Sequence, residues 1–259
     1  MPKETFLIRS LPVSLCFLLI TPFPVHLETG GKENRVSQEN HYYFSSMTAI
    51  EKTSLNKHAK QFVKTYIRQN RTELYSIRQR SRQPFSTIDS IFRKYKLPLQ
   101  LKYLAVIESE LKTRAVSRVG AAGPWQLMPQ TAQILGLKIT NTRDERTQYD
   151  KSTKAAALYL RDLYSEFGDW LLVLAAYNSG PGPVYQAIRQ SGSRNFWALQ
   201  SYLPAETRGH VKKFIAAHYY FEGCGSETTL TKMERMAQEA ASGRSYCKND
   251  YFSSIVISL

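Results

Sequence analysis

Between residues 51 and 222, apolar side chains recur at the three- and four-residue intervals of an α-helix. Segments with this spacing begin near residues 56, 86, 98, 151, 170 and 204. In the third of them Pro98 suits a first helical turn, and one face then carries Leu101, Leu104, Ile107 and Leu111. No stretch of useful length alternates apolar and polar residues as a β-strand does. The pattern therefore predicts a mainly α fold.

Polar or mixed segments flank this helical region. Residues 26–50 are polar and contain glycine, which predicts a linker. The final SSIVISL of the mixed C-terminal segment either pairs as a strand or frays. The predicted divisions are a leader at 1–25, a linker at 26–50, a basic helical segment at 51–84, the main helical domain at 85–222 and a tail at 223–259.

The leader predicts an export signal or a lipid or membrane anchor. Lys3 and Arg9 form a basic start, and Leu11–Val25 is a short apolar stretch that prolines interrupt. This stretch is too short and too broken by proline for a comfortable membrane-spanning helix. Cys16 allows lipid attachment, although the preceding Leu15 is bulky for such a site. An unstructured hydrophobic leader is the alternative.

Basic residues dominate the charge of the chain, whose formal net charge is +14. Such a balance predicts an anionic partner, which is nucleic acid, an acidic membrane surface or an anionic polymer. The excess is concentrated in residues 52–102, where the acidic residues are Glu73 and Asp89 alone. This segment forms either a solvated face or a surface for that partner. We expect no nucleic-acid partner, because no known binding motif appears and the leader indicates export.

Cysteine is scarce, and no cluster of histidine and cysteine has the spacing of metal ligands. We therefore expect neither a metal site nor a cofactor. If the leader is removed, Cys224 and Cys247 remain, and they form either a disulfide or two free structural thiols.

One acidic residue stands directly after an apolar run. In KYLAVIESELKTRAVSRVGAAGPWQLMP, which begins at Lys102, Glu108 follows Ile107. On a helix, Leu104 and Leu111 lie one turn away on either side, so the carboxyl is partly desolvated. On residue type and spacing alone, an exposed helix acid is the simpler interpretation.

Three motifs reverse that interpretation. ESELKTRAVSRVGAAGPWQLMP, AAYNSGPGPV and PAETRGHVKKFIAA occur in this order over residues 85–222. In order and spacing they resemble the signatures of soluble-type lytic transglycosylases in the lysozyme-like superfamily. The GAAGPWQLMP wording resembles the membrane-bound lytic transglycosylase D branch, which shares Trp125 where other branches have methionine. The resemblance implies a goose-type lysozyme-like helical catalytic domain.

The resemblance also implies an activity and a set of site residues. The activity is cleavage of the β-1,4 bond between N-acetylmuramic acid and N-acetylglucosamine, with a 1,6-anhydro-muramyl end as the product. The catalytic acid and base is Glu108. The residues that match the substrate-binding positions are Ser117, Gln126, Met128, Tyr177, Asn178 and Glu206. The partner is the peptidoglycan glycan strand, in the periplasm or at the periplasmic face of the outer membrane, and we expect a monomer.

The chemistry agrees with a single acid. A proton donor at neutral pH needs a carboxyl pKa well above about 4.3, which burial against apolar groups provides. An ordinary glycosidase needs a second carboxylate. Glu110 faces away on a helix, and Asp144, Glu145 and Asp150 fall in a polar stretch that we expect to be exposed. Attack by the sugar's own C6 hydroxyl removes that need.

Several residues and functions keep an alternative. Ser117 and Gln126 either contact sugar or satisfy backbone groups, and Trp125 either stacks on a sugar or packs in the core. Glu206 suits a helix N-terminus, with Arg208 as an expected ion-pair partner. The rival functions are a hydrolytic muramidase of the same fold and a catalytically silent peptidoglycan-binding module.

Overall fold

The computed structural model describes residues 30–52 and 55–242. Twelve α-helices lie within these ranges, and pairing between extended segments is limited to isolated bridges such as that between Ala122 and Leu127. The helices are α1 Gly30–Lys52, α2 Lys57–Gln69, α3 Arg71–Arg80, α4 Arg82–Lys94, α5 Tyr103–Ser109, α6 Pro129–Ile134, α7 Tyr149–Phe167, α8 Trp170–Ser179, α9 Pro181–Ser191, α10 Phe196–Leu199, α11 Ala205–Glu222 and α12 Lys232–Ser242. The prediction of a mainly α fold is confirmed.

Helix α8 lies in the centre of the main domain. Its first seven residues, Trp170 to Ala176, are all buried, which is expected for a helix that is apolar on every side. The Asp169 side chain caps its start by accepting a hydrogen bond from the amide of Leu171 at 2.9 Å. Helices α7, α9 and α11 pack around α8, and together they form the wall on which the cleft described below is built.

The basic segment at 51–84 contains α2 and α3, together with the end of α1 and the start of α4. Helix α2 ends at Gln69, and the next residue, Asn70, donates from its side chain to the carbonyl of Tyr66 at 2.8 Å. The buried face of α2 consists of small and β-branched residues, Ala59, Val63 and Ile67. Phe62 and Tyr66 stack on each other at the flank of that face.

Part of the basic excess is used inside the fold. Arg71 and Lys102 form ion pairs with Glu39 and Asp89, at 3.0 and 3.1 Å. The guanidinium of Arg78 lies 4.1 Å from the ring centroid of Tyr42. These side chains therefore hold helices together, and they are not all available to an external anion.

The predicted linker at 26–50 is corrected by the structure, because residues 30–52 form helix α1. Its polar residues meet polar partners on α3: Glu39 binds Arg71, and Gln38 accepts a hydrogen bond from the Tyr75 hydroxyl at 3.3 Å. Composition suggested a linker because this helix docks through hydrogen bonds, an ion pair and a few aromatic rings, without a continuous apolar face.

The tail begins with ordered structure. Helix α12 is tied to α8, because the amide of Lys232 donates to the second carboxylate oxygen of Asp169 at 2.6 Å. Cys224 is buried and disulfide-bonded, whereas Cys247 lies outside the described residues, so their pairing stays a prediction. The leader at 1–25 and the final SSIVISL also lie outside the described residues. Within the ranges that are described, no helix has the length and apolarity needed to cross a bilayer.

Candidate active site

A cleft of about 690 Å³ opens on one side of the main domain, between α5, the loop before α6, α8 and α11. Its volume is in the range of pockets that hold small ligands. All seven residues that the resemblance selected line this one cleft, namely Glu108, Ser117, Gln126, Met128, Tyr177, Asn178 and Glu206. The structure thus brings together residues from three separate motifs, and their individual roles stay predictions.

Glu108 lies in the last turn of α5, which ends abruptly behind it. The next residue but one, Glu110, and its neighbour Leu111 both have left-handed backbones, with φ of 56° and 66°. Their amides donate to the carbonyls of Val106 and Ala105, at 2.8 and 3.1 Å, and close the helix end. Left-handed residues other than glycine carry backbone strain, which clusters at functional sites. The apolar run that predicted a longer helix therefore ends at the cleft.

The carboxyl of Glu108 is mostly enclosed and has one basic contact. Its side chain is 15% exposed, and Nε2 of His210 lies 2.8 Å from its Oε1. His210 comes from α11 and is itself buried at the cleft wall. Sequence reasoning missed His210. The available signal was its spacing, because His210 follows Glu206 by four residues and so shares its helix face.

Tyr177 lies beside the acid, but it bonds elsewhere. Its hydroxyl donates to the carbonyl of Trp125 at 2.8 Å, instead of contacting Glu108 directly. Burial raises the pKa of this phenol well above its usual 10, and the nearby charge of Glu108 adds to the rise. The ring of Tyr159 lies 5.4 Å away and lines the same cleft. Tyr177 therefore connects α8 to the loop that carries Trp125.

Asn178 is also held by a side-chain contact. Its Oδ1 accepts a hydrogen bond from the Thr207 hydroxyl at 2.9 Å, which connects the end of α8 to the first turn of α11. Asn178 also lines the cleft, and its amide nitrogen carries N–H donors that a ligand there can use.

The loop from Ala115 to Leu127 forms the opposite wall. Ser117 accepts a hydrogen bond from the amide of Ala121 at 2.9 Å, and the Gln126 amide donates to the carbonyl of Gly123 at 2.9 Å. Both side chains therefore satisfy backbone groups, as one of the two interpretations held. Both side chains also line the cleft, so they can contact a sugar as well.

A buried arginine fastens this loop from behind. One guanidinium nitrogen of Arg146 donates to the carbonyls of Gly120 and Leu127, at 2.7 and 3.0 Å, and another donates to Asp144 at 2.7 Å. The backbone passes close here: a Cβ on Gly123 would lie 1.9 Å from the Arg146 carbonyl oxygen. The tight approach at this glycine therefore serves the packing of the loop on residues 144–146.

Trp125 belongs to the core. Its side chain is fully buried, its Nε1 donates to the Thr153 hydroxyl at 2.9 Å, and its ring lies 5.5 Å from that of Phe92. The sugar-stacking interpretation of Trp125 is wrong for this reason. Met128 is an exposed apolar residue of the cleft, with 42% of its surface accessible, and Val119 is another.

The other carboxylates of the sequence analysis do not face the acid. Glu110 pairs with Lys112 at 2.6 Å and with Arg80 at 3.5 Å. The prediction that residues 144–150 are exposed is wrong for Glu145, whose side chain is only 5% exposed because cations surround it. Asp150 is exposed as expected.

Glu206 is the second carboxylate of the cleft. It is exposed in the first turn of α11, where the positive end of the helix dipole favours an acid. Arg208, its expected ion-pair partner, instead donates to the carbonyl of Leu203 at 3.1 Å. In the ranges that the structure describes, no group of three His, Cys, Asp or Glu side chains is arranged to hold a metal ion.

Part of this chain is similar to known proteins. Residues 87–200 match the family model described as the transglycosylase SLT domain. Membrane-bound lytic murein transglycosylase D of Escherichia coli K12 is 38% identical over 156 residues, which are 58% of this chain and 34% of that protein. Soluble lytic murein transglycosylase of Salmonella typhimurium is 33% identical over 122 residues, 44% of this chain and 19% of that protein. The chain thus spans about a third or less of the length of these relatives.

The fold has a solved counterpart. The 70-kDa soluble lytic transglycosylase, in its complex with bulgecin A, aligns with a TM-score of 0.50 and 22% identity over 82% of this chain and 38% of that one. At this identity the likeness concerns the fold alone, and the lysozyme-like fold class is confirmed. The resemblance on which the site residues were chosen is confirmed by the family model and the relatives.

Proposed function

We propose that this chain, whose residues 87–200 match the transglycosylase SLT domain, is a peptidoglycan lytic transglycosylase. The substrate is the β-1,4 bond between N-acetylmuramic acid and N-acetylglucosamine, and the product carries a 1,6-anhydro-muramyl end. The observation that carries this proposal is the enclosed carboxyl of Glu108 in the wall of a cleft lined by all the other selected residues.

Glu108 acts twice on one sugar. As an acid it protonates the glycosidic oxygen, so the bond from C1 to the leaving sugar breaks. As a carboxylate it then removes the proton of the muramyl C6 hydroxyl, whose oxygen forms the new bond to C1. Proton transfer by a positioned group contributes about 10²–10⁴-fold in rate. No water is consumed, because nucleophile and electrophile belong to the same ring and their proximity is built in.

The rest of the cleft binds and orients the glycan. Ser117 and Gln126 present polar edges from the loop, and Met128 presents an exposed apolar one. Asn178 offers its amide nitrogen as a donor. The hydrogen bond from Tyr177 to Trp125 holds the loop against α8 next to the acid. Most of the side chains that line the cleft are polar, and placed polar groups are what orient a ligand in a pocket.

A hydrolytic muramidase is the second candidate, and one observation favours it. Glu206 is a carboxylate in the same cleft with no cationic partner at Arg208, so it is available to activate a water molecule. In that mechanism the released muramyl end is a reducing sugar and Glu206 is indispensable. In the transglycosylase mechanism Glu206 contributes to substrate binding.

For the cellular setting we propose export to the periplasm, or to the periplasmic face of the outer membrane, with the N-terminus providing any membrane attachment. The name of one relative, membrane-bound lytic murein transglycosylase D, supports this setting. The protein is proposed to act on glycan strands as a monomer, in the remodelling or turnover of the cell wall.

Mass spectrometry of soluble products decides between the two mechanisms. Purified protein is incubated with peptidoglycan sacculi, and the muropeptides that it releases are weighed beside those from Glu108→Gln and Glu206→Gln. We expect anhydro products, lighter by one water than hydrolytic ones, from the wild type and from Glu206→Gln, and none from Glu108→Gln. Reducing ends that disappear in Glu206→Gln would establish the muramidase instead. A folded wild type that releases nothing would support the binding module.

A further inference from the structure

We propose that His210 is a positioning residue that holds one carboxyl oxygen of Glu108 and thereby selects the other oxygen for proton exchange with the substrate. This inference rests on the function proposed above and adds to it a second residue that acts on the acid. It starts from the one basic side chain that contacts Glu108 within the described part of the chain, the His210 ring at 2.8 Å.

The contact joins two elements that are far apart in sequence. Glu108 lies in the last turn of α5, and His210 lies in the second turn of α11, 102 positions later. The two helices pack directly on each other. Both side chains are largely enclosed, with 15% and 9% of their surfaces exposed. Both also line the cleft. The imidazole is thus a fixed part of the wall next to the acid and does not depend on a mobile surface side chain.

The surroundings of the ring indicate which nitrogen carries the proton. Nδ1 of His210 is buried and has no hydrogen-bond partner among the described residues. A proton on Nδ1 would place an N–H donor in the interior without an acceptor, which is costly. The tautomer protonated at Nε2 avoids this and points its N–H at Oε1 of Glu108.

The choice of oxygen serves both steps of the reaction, and the strength of the hydrogen bond serves the first. With Oε1 accepting from His210, the transferable proton resides on Oε2, the oxygen left for the substrate. When Glu108 gives up that proton, the same hydrogen bond becomes charge-assisted and therefore stronger. An interaction that strengthens as charge develops lowers the barrier more than it tightens binding. Loss of His210 is accordingly expected to reduce kcat and to leave KM nearly unchanged.

The other polar groups around the cleft do not replace this contact. The Tyr177 hydroxyl donates its hydrogen bond to the Trp125 carbonyl. Glu206 and Lys213 occupy the same face of α11, but both are exposed and neither forms an ion pair with Glu108 in the described structure. The hydrogen bond from His210 is therefore a specific restraint on the acid.

Two variants that differ by one methylene test the proposal. In His210→Gln the side-chain amide nitrogen is as many bonds from Cα as Nε2 of histidine, so an N–H can still reach Oε1. In His210→Asn it is one bond shorter and cannot reach. His210→Phe keeps the ring shape and removes the donor. Initial rates on soluble glycan strands of uniform length give kcat and KM for each, and circular dichroism and thermal unfolding report on the fold.

Hydrogen bonds to charged groups correspond to an effect of about 10- to 100-fold in rate. We expect His210→Asn and His210→Phe to lose about that factor in kcat with KM within about twofold. His210→Gln should recover most of the loss. Equal kcat in folded Asn, Gln and wild-type proteins would overturn the proposal, and so would a loss seen only in KM.

These outcomes are separate from failure of the proposed function. An inactive wild type would refute the transglycosylase itself, whereas an active wild type with unaffected His210 variants would refute only the role of His210. If His210→Phe fails to fold, the comparison of Gln with Asn still decides, because both side chains are polar and smaller than the phenyl ring.

Discussion

Two enclosed glutamates in this domain have opposite surroundings. Glu145 sits in the 144–146 turn behind the loop, where Lys151 contacts it at 2.5 Å, Arg143 at 2.8 Å and the amide of Lys138 at 2.9 Å. Glu108 sits in the cleft wall, where its one basic contact is His210 among the residues that the structure describes. The first is compensated by cations, and the second faces a cavity.

The difference separates a structural acid from a chemical one. The hydrogen bond from Lys151, followed by the amide of Lys138, lowers the pKa of Glu145 to about 2, so this carboxylate stays ionised under all ordinary conditions. Such a group cannot donate a proton at neutral pH. A carboxyl with no lysine or arginine contact and an open side towards a ligand is able to exchange its proton. Burial by itself therefore does not identify a catalytic acid.

Exchanging each glutamate for glutamine provides the largest expected contrast. Glu108→Gln should lower the rate on sacculi by about 10²–10⁴-fold and leave the thermal unfolding curve nearly unchanged. Glu145→Gln should destabilise the fold to heat, because Lys151 and Arg143 lose their shared anion. It should leave the rate on sacculi nearly unchanged, because the cleft keeps its acid. Turbidity assays and thermal unfolding on both variants check this. A Glu145→Gln variant that is stable but inactive would contradict the assignment of Glu145 as structural and Glu108 as catalytic.

The 144–146 turn can also be weakened at its arginine. Arg146→Met removes the guanidinium donor from the carbonyls of Gly120 and Leu127, the second of which keeps the amide of Ala122, and it removes the cationic partner of Asp144. We expect a loss of about 2–4 kcal/mol in the free energy of unfolding, measured by urea denaturation. Activity should fall as well, since Ser117 and Gln126 belong to the loop that Arg146 holds.

A matched control for this prediction is Arg143→Met. Arg143 is about half exposed and pairs with Glu145 from the solvent side. We therefore expect Arg143→Met to lower the free energy of unfolding by less than about 1 kcal/mol. If the two variants lose equal stability, the buried hydrogen bonds of Arg146 contribute no more than the exposed ion pair of Arg143. The conclusion that Arg146 fastens the loop would then be wrong.

Acid titration gives the smallest and most specific effect. Because the pKa of Glu145 is lower in the fold than its usual value of 4.5, its contribution to stability is complete above about pH 4.5. That contribution is lost as the pH falls from 4.5 through about 2. Glu145→Gln should therefore show a shallower decline of unfolding free energy in this window than the wild type does.

Another buried group contributes to the same decline and must be subtracted. Burial lowers the pKa of His218 to about 3, so the unfolded chain binds this proton first and stability falls as the pH drops below 6.5. His218 is present in both proteins, and the difference between the two curves isolates Glu145. Parallel curves between pH 4.5 and 2 would contradict its assigned surroundings.

Apolar periodicity predicted the helical fold, and the resemblance of three local motifs to a known family selected the members of the cleft. Neither step requires knowledge of tertiary contacts. Glu108, Ser117, Gln126, Tyr177 and Glu206 all follow from that information. The errors concern partners. Glu145 was expected to be exposed, and Lys138, Arg143 and Lys151 enclose it. For Trp125 both sugar stacking and core packing were considered, and its contacts with Phe92 and Thr153, which are distant in sequence, place it in the core.

What the sequence by itself determined is therefore local: helix periods, the place of an acid after an apolar run, and the motifs that mark the cleft. Only the tertiary structure decided which acid is surrounded by cations and which receives a single imidazole. The physical reason is that desolvation and Coulomb interactions depend on distance in space. His210 and Glu108 are 102 positions apart in the chain and 2.8 Å apart in the fold, and no local pattern contains that distance.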